Sequence, residues 1–458
     1  MKRSELPALT ILAYSAPALA CGYMYLLVSL YVMKYSTDIL LIAPGVMGLI
    51  FSASRLLDAF LDPLAGYWSD RTRSRFGRRK FWMLLSILPT ALLFYMIFAQ
   101  PARLAGTPLI LWMALAIIGY YAAITFCFIP HMSLGAELSA DTHERSRLFG
   151  YRYAAYTLGS MLALLSLHIF ISAEQLGPGS VQATVSNFAI GAGVLFAAMV
   201  AFAALYLHEQ PASAVVRPQR MHAAFRDVWS NLNARLLLIV NFIENIGFAA
   251  ITVLVLYVTQ YIFGRPLLAT VVILAYMLPS ALFAPLWPRL ARRSGKARLW
   301  IYSMVLTALS FGAMFPVMYY EMAFRFEIFV ALTALTGLAA GCGGTIGPSV
   351  LSDVIDGDEL LTGERKEGVY FAALNFVIKS AYGVMLLLTG FILQATGFTP
   401  NAEQPPSATF AMIWLYSIFP LVCYLMGAWM FRRFELDEAT HAAIRSELDK
   451  VGDISVHG

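Results

Sequence analysis

Runs of about 20 apolar residues recur twelve times along the chain and restrict what it can fold into. A run of this length crosses the hydrocarbon core of a bilayer as a helix. The runs lie near 9–32, 44–67, 80–99, 107–130, 150–172, 187–207, 234–262, 268–290, 299–320, 327–350, 368–394 and 408–431. Only 13% of the 458 residues are charged, against about 25% in a soluble domain. The sequence therefore predicts an all-α membrane protein with twelve transmembrane helices.

The distribution of basic residues predicts how the chain is oriented. The loops after even-numbered runs are rich in Lys and Arg, whereas the opposite loops hold only Lys34, Arg103, Arg265 and Arg325. Basic residues mark the cytoplasmic side, so we expect both termini to be cytoplasmic in a bacterial-type inner (plasma) membrane. The net charge of +5 then follows from topology, and we expect a bilayer and a small molecule as partners, but no nucleic acid.

Two pairs of landmarks share one spacing and indicate an internal repeat. Gly77 and Gly295 are 218 residues apart, and so are Pro130 and Pro348. A common offset predicts duplication of a six-helix unit, as in transporters built from repeats. We therefore expect two six-helix bundles related by pseudo-two-fold symmetry, in a monomer. The predicted regions are an N-terminal bundle over 1–207, a cytoplasmic linker over 208–233, a C-terminal bundle over 234–432 and a cytoplasmic tail over 433–458.

Five charged residues lie inside the apolar runs and are the first candidates for function. Asp58 and Asp62 are four residues apart, so on a helix they share one face, and Arg55 precedes them by one turn. The other two are Glu244 and Lys379. Charges at this depth are costly and persist mainly where they bind an ion, a proton or a charged substrate. The alternative is mutual neutralisation, although a buried ion pair alone rarely stabilises a fold.

Further polar residues are candidates for lining a substrate cavity. Asn241 and Asn245 flank Glu244 in the seventh run, where the carboxyl group either binds polar cargo or is a protonated, hydrogen-bonded structural group. His131, at the end of the fourth run, and Arg152, at the start of the fifth, are weaker candidates.

The basic loop after the second run suggests a cytoplasmic gate. One interpretation is topology alone, and the other is a latch of ion pairs that breaks and reforms during transport. The candidate gate residues are Asp70, Arg71, Arg78, Arg79, Glu137 and Arg145.

Nothing in the sequence indicates an enzyme. The four cysteines occupy separate apolar runs without the spacing of metal ligands, and no nucleophile constellation or phosphate-binding loop is present. We therefore expect neither catalysis nor a cofactor, apart from Na⁺ or H⁺ as a coupling ion.

Several motifs together resemble one transporter family. Arg55-x-x-Asp58-Ala59-x-x-Asp62-Pro63 is followed by a Gly- and Arg-rich loop over 66–79. The supporting segments are Ile129-Pro130, Gly135-Ala136-Glu137-Leu138, Asp353-Val354-Ile355-Asp356 and Arg365-x-Glu367-Gly368, the last of which leads to Lys379. This combination resembles the glycoside-pentoside-hexuronide:cation symporters of the major facilitator superfamily.

The resemblance implies roles for particular residues. In that family a cation sits on two helix-2 aspartates and a helix-4 threonine, near a helix-11 lysine. These roles fall on Asp58, Asp62, Thr125 and Lys379, with Arg55 as a further charge-sensing residue, and a possible Na⁺ would bind at the two aspartates. Carboxylate and hydroxyl oxygens suit such a hard cation.

The sequence also departs from the family at the sugar site. Where a galactoside-binding member has two aspartates, this chain has the uncharged stretch Ser15-Ala16-Pro17-Ala18 and Phe128. We therefore add Phe128 to the cavity candidates, and the cargo need not be a galactoside.

These observations predict a secondary active transporter. It would couple Na⁺ or H⁺ to symport of a small organic solute, a sugar or glycoside, by alternating access. One alternative is cation-coupled transport of an amphipathic lipid such as a lysophospholipid, because the lost aspartates have apolar replacements. The other is a non-transporting membrane receptor.

Overall fold

A computed structural model gives the fold and describes residues 6–138, 142–209, 226, 228–362, 367–436, 440–444 and 446–447. Within these ranges the regular elements are helical. The first seven helices are α1 (Ala8–Leu30), α2 (Val32–Asp38), α3 (Pro44–Arg71), α4 (Arg78–Phe98), α5 (Thr107–Glu137), α6 (Thr142–Glu174) and α7 (Pro178–Tyr206). They are followed by α8 (Leu232–Tyr257), α9 (Ala269–Phe283), α10 (Leu286–Ser294), α11 (Lys296–Tyr319), α12 (Arg325–Thr362), α13 (Glu367–Ala395), α14 (Pro406–Tyr416) and α15 (Ile418–Phe431).

In the described parts of the chain, 12 helical segments are long and apolar enough to cross a membrane. The predicted all-α fold with twelve transmembrane helices is confirmed. Several bounds differ from the prediction, and two of the differences have a clear physical reason. The run 268–290 divides into α9 and α10 around Pro285, since proline removes a backbone donor and clashes with the preceding turn. Helix α12 is 38 residues long and ends at Thr362, beyond the predicted limit of its run at position 350. Hydropathy marks the depth of the membrane and not the end of a helix.

The chain forms two compact units. The first comprises Met1–Val215 and Leu386–Glu403, and the second comprises Val216–Met385 and Gln404–Gly458. The segment from Leu386 contacts the beginning of α3 within the first unit, where Gly45 N donates to Gln394 Oε1 at 3.1 Å. The predicted limits of the bundles, linker and tail stay a prediction, because most of the linker and much of the tail lie outside the described residues.

The same pairs of spans pack together in both units. In the first unit α3 and α4 pack on α5, while α1 and α4 pack on α7. In the second, α9 and α11 pack on α12, while α8 and α11 pack on α15. In both units, therefore, the second and third spans pack on the fourth, and the first and third spans pack on the sixth. Duplication of a six-helix unit requires this agreement.

The two glycines that define the repeat adopt the same unusual backbone conformation. Gly77 precedes α4 with φ 100°, and Gly295 precedes α11 with φ 85°. Residues with a side chain rarely adopt such positive φ values, whereas glycine does so at little cost. The spacing of 218 residues between them therefore reflects one local structure used twice.

Helices α1 and α6 cross with their backbones in contact. A methyl group at Gly159 would overlap the Leu19 carbonyl group, and one at Gly22 would overlap the Tyr156 carbonyl group. Across the same interface the Tyr23 hydroxyl donates to Ser166 Oγ at 2.9 Å. Small residues permit such close approach between membrane helices.

Substitutions at two glycines of α6 should therefore have opposite effects. Gly159→Ala is expected to lower the free energy of unfolding by about 1–3 kcal/mol, because the helices must separate. Gly150→Ala is the control, since a methyl group there meets nothing within 4 Å. It should raise stability by about 0.5–1 kcal/mol through the helix propensity of alanine. Thermal unfolding in detergent measures both, and equal effects would contradict the packing argument.

Candidate functional site

The structure brings together two of the residues predicted to bind the coupling cation. Helices α3 and α5 pack on each other, and the Thr125 hydroxyl lies 2.5 Å from Asp58 Oδ1 and 3.0 Å from the Tyr121 carbonyl oxygen. Asp58 is only 4% exposed. A buried carboxylate with a hydroxyl at this distance presents hard oxygen atoms to a cation or a proton.

Arg55, one turn before Asp58, is held by hydroxyl groups of α1 and α5. Its guanidinium donates to the Tyr25 and Tyr121 hydroxyls at 2.8 Å each and to Ser29 Oγ at 3.3 Å. The guanidinium carbon also lies 4.1 Å from the centre of the Tyr121 ring. These contacts keep a positive charge in place within a span, beside the aspartate of the same helix face.

The sequence analysis missed the three residues that hold Arg55. Tyr121 could have been found, because it precedes Thr125 by four residues and therefore shares its face of α5. Tyr25 and Ser29 are likewise four residues apart on α1, but hydroxyl residues are common in membrane helices and this spacing alone does not single them out.

Asp62 and Lys379 are each half-buried. Asp62 follows Asp58 by one turn of α3, as predicted, so both carboxylates lie on one side of that helix. Lys379 lies on α13 in the second unit. Its charge-sensing role toward the aspartates of the first unit stays a prediction.

The residues of the first unit that were predicted to line a cavity lie on α5 and α6. The Arg152 guanidinium carbon lies 5.0 Å from the centre of the Phe128 ring, and its Nε has no hydrogen-bond partner among the described residues. His131 is buried, with Nε2 2.7 Å from the Tyr14 carbonyl oxygen and its ring on the Tyr14 ring. His131 therefore faces a helix interface, whereas Arg152 keeps donors for a ligand.

The second unit contains a cavity of about 300 Å³. Asn241, Glu244 and Asn245, all predicted from the sequence, line it together. The aromatic part of its wall comes from Phe248, Tyr276, Trp300 and Tyr424. Glycines of α12 form another part, and a methyl group at Gly344 would meet nothing within 4 Å. The glycine-rich face of α12 therefore leaves space for a ligand as well as for helix packing.

Glu244 has an unusual environment for a charged side chain. It is 9% exposed, and the Trp300 indole Nε1 donates to its Oε1 at 3.3 Å. No Lys or Arg is among the described residues that line the cavity. The side chain therefore contributes an acceptor group to the cavity without a cationic neighbour in its wall.

Four of the predicted gate residues lie in ordered contacts within the first unit. Arg79 Nη2 pairs with Asp70 Oδ1 at 3.1 Å, and Arg78 Nε pairs with Glu209 Oε1 at 3.2 Å. Arg71 donates to the Tyr67 hydroxyl. Glu209 was not predicted, although its position directly after the sixth span could have suggested it. The side chains of Glu137 and Arg145 lie outside the described residues.

The second unit has a related cluster that sequence reasoning did not identify. Lys296 Nζ pairs with Asp353 Oδ2 at 2.6 Å, and Lys296 follows Gly295 just as Arg78 follows Gly77. His441 of the tail lies 2.9 Å from Asp356 Oδ2. The tail, to which the sequence assigned no chemistry, thus contacts acidic residues of α12.

Another buried charge cluster lies at the opposite end of the first unit. Lys34 is 1% exposed and pairs with Glu174 Oε2 at 2.7 Å and Asp38 Oδ2 at 3.3 Å. The Tyr31 hydroxyl donates to Glu174 Oε1 at 2.7 Å. This cluster connects α2 to the end of α6.

The 12 apolar helices in the described parts of the chain define it as an integral membrane protein, and the family and relatives that it matches are transporters and not enzymes. A family model described as MFS/sugar transport protein matches residues 13–438, and the chain belongs to this family.

Individual relatives agree with this assignment. The chain is 25% identical over 421 residues to the inner membrane symporter YicJ of Escherichia coli, a match that covers 89% of this chain and 87% of that protein. It is 25% identical over 430 residues to the isoprimeverose transporter of Lactiplantibacillus pentosus, covering 93% and 88%. It is 24% identical over 454 residues to the putative glycoside/cation symporter YagG of Escherichia coli, covering 96% and 94%. The resemblance to the glycoside-pentoside-hexuronide:cation symporters is confirmed.

Solved structures share the fold at lower identity. The nucleoside transporter NupG has a TM-score of 0.65 at 15% identity, covering 93% of this chain and 98% of that one. The D-xylose-proton symporter has a TM-score of 0.65 at 14% identity, covering 93% and 97%. The predicted major facilitator fold is confirmed.

Proposed function

We propose that this protein is a symporter of the bacterial inner membrane that couples inward movement of Na⁺ or H⁺ to uptake of a sugar or glycoside by alternating access. The observation that carries the proposal is the buried contact between Asp58 and Thr125. Several relatives also support the proposal, because they are named as symporters or glycoside transporters.

The coupling ion is proposed to bind on the shared face of Asp58 and Asp62. A buried carboxylate is tolerated when a cation or proton neutralises it. Thr125 adds a third oxygen, and the hydroxyl groups around Arg55 fix the neighbouring positive charge. Lys379 is proposed to respond to occupancy of the aspartate pair, so that the protein changes conformation only when ion and cargo are both bound or both absent. Both termini are proposed to be cytoplasmic.

The cargo is proposed to bind in the cavity of the second unit, where Glu244, Asn241 and Asn245 form part of the wall. Aromatic rings combined with a few charged or amide groups are the usual composition of sites for small polar ligands.

Flux measurements test the proposal directly. Protein in proteoliposomes is given labelled pentosides, hexosides and hexuronides under an inward Na⁺ gradient, an inward H⁺ gradient, or neither. We expect at least one sugar to accumulate above its external concentration with one of the gradients. Competition by lysophosphatidylcholine but by none of the sugars would favour the lipid alternative. Absence of gradient-driven flux for every compound would reject symport of sugars.

A further inference from the structure

Several polar atoms that line the cavity of the second unit can only accept hydrogen bonds. The Ser303 hydroxyl donates to the Trp300 carbonyl oxygen at 2.8 Å, and the Thr307 hydroxyl donates to the Ser303 carbonyl oxygen at 2.8 Å. Each hydroxyl has a single hydrogen, so both side chains offer only lone pairs to a ligand. The one donor of the Trp300 indole is directed at Glu244.

The two asparagines of α8 add two further acceptor atoms. Asn241 Nδ2 donates to the Leu237 carbonyl oxygen at 2.9 Å, and Asn245 Nδ2 donates to the Asn241 carbonyl oxygen at 2.8 Å. One donor of each amide is therefore bound within the helix, while no described protein donor engages either Oδ1. The two amide oxygens and the Ser303 and Thr307 hydroxyl oxygens can therefore each accept a hydrogen bond from a ligand.

Among the described residues that line the cavity, Glu244 is the one that can carry a carboxylate charge, and no basic residue is among them. An ionised carboxylate at this depth needs a positive partner. The rings of Phe248, Tyr276 and Trp300 in the same wall also suit a cation, because an aromatic face attracts positive charge.

The volume limits the size of the ligand. About 300 Å³ is at the lower end of the range for small-molecule sites, which suits one pyranose ring and not a long acyl chain.

We propose that this cavity binds the ammonium group of an amino sugar, with Glu244 as its counter-ion and the Asn241 and Asn245 oxygens as further acceptors. This inference rests on the proposed function, which it narrows from sugars in general to sugars that carry a protonated amine. The ammonium group supplies three donors and the missing positive charge, whereas a neutral sugar supplies the donors alone.

Thermal stabilisation of the full-length protein in detergent tests the inference. The probes are glucosamine, glucose and N-acetylglucosamine at about pH 6, where an amine is protonated. Glucosamine should stabilise the protein by mass action. Its apparent affinity should exceed those of the two neutral sugars by about 10- to 100-fold, the range expected for hydrogen bonds to a charged group.

Two variants and a control locate the binding site. Glu244→Gln keeps the size of the side chain and an acceptor for Trp300, and it should remove the preference for glucosamine. Gly344→Leu should block all three ligands, because it places a side chain in the open cavity. Glu321→Gln, at an exposed carboxylate of the same unit, should leave the response to glucosamine unchanged.

Several outcomes would overturn the inference. They are equal stabilisation by glucosamine and glucose, no stabilisation by glucosamine, or an undiminished preference in Glu244→Gln. Unaltered glucosamine binding by a folded Gly344→Leu protein would place the ligand elsewhere. If one of these outcomes is found while neutral glycosides are still taken up with a cation gradient, the amino-sugar inference is rejected and the proposed function stands. If no sugar shows gradient-driven flux, the proposed function fails with it.

Discussion

Asp58→Asn is expected to reduce concentrative uptake by roughly 100-fold, the largest functional effect of any single change proposed for this protein. Asparagine is nearly isosteric with aspartate and still accepts a hydrogen bond from Thr125, so the contact between α3 and α5 should persist. What disappears is the negative charge that attracts the coupling ion. A charge-assisted interaction contributes about 1.5–3 kcal/mol. A loss near the upper end of that range weakens ion binding by roughly 100-fold.

Exchange measurements separate coupling from general damage. Asp58→Asn protein should retain part of its sugar exchange across the membrane without a gradient, because the cargo contacts are unchanged. Asp62→Asn should behave in the same way, since its carboxylate shares the helix face. Glu435→Gln, at an exposed position after α15, serves as a control with normal uptake. Full concentrative uptake by either aspartate variant would remove that residue from the ion site.

The sequence was sufficient for the architecture and for part of the candidate site. Apolar runs locate the spans because every backbone polar group within a bilayer must be satisfied internally, which selects helices. The spacing of Gly77 and Gly295 predicted the repeat, and their matching backbone conformations agree with it. Helical periodicity placed Asp58 and Asp62 on one face, but the contact of Asp58 with Thr125 came from the resemblance and not from periodicity.

Residues whose role depends on tertiary packing were not predictable in this way. Tyr25 and Ser29 reach Arg55 from another helix, and no local pattern marks that contact. Glu209 directly follows the sixth span, but no local pattern predicts that its carboxylate accepts a hydrogen bond from Arg79 N at the start of α4. The acceptor role of Ser303 and Thr307 in the second cavity likewise depends on their hydrogen atoms being bound to helix carbonyl groups.

Lys34 illustrates the limit of reasoning from charge distribution. As a loop residue between the first two spans it counts only toward topology, and its exposure would be the natural expectation. In the structure α2 folds so that the side chain is 1% exposed, between Glu174 and Asp38. Position in the sequence gives the side of the membrane, whereas burial depends on how α2 packs.

Lys34→Met is therefore expected to destabilise the protein by about 3–5 kcal/mol, the usual cost of removing one partner from a buried ion pair. The substitution removes the cation that pairs with both Asp38 and Glu174. Unfolding in detergent measures the effect, and Arg103→Met is a control on an exposed residue that should change stability by less than about 0.5 kcal/mol.

A double variant separates unpaired charge from lost packing. Lys34→Met combined with Glu174→Gln should recover part of the lost stability, because it also removes one of the two carboxylate charges that pair with Lys34. The glutamine amide oxygen can still accept the hydrogen bond that the Tyr31 hydroxyl donates to the carboxylate. If the double variant is no more stable than Lys34→Met alone, the cost arises from lost packing of the lysine side chain and not from unpaired charge.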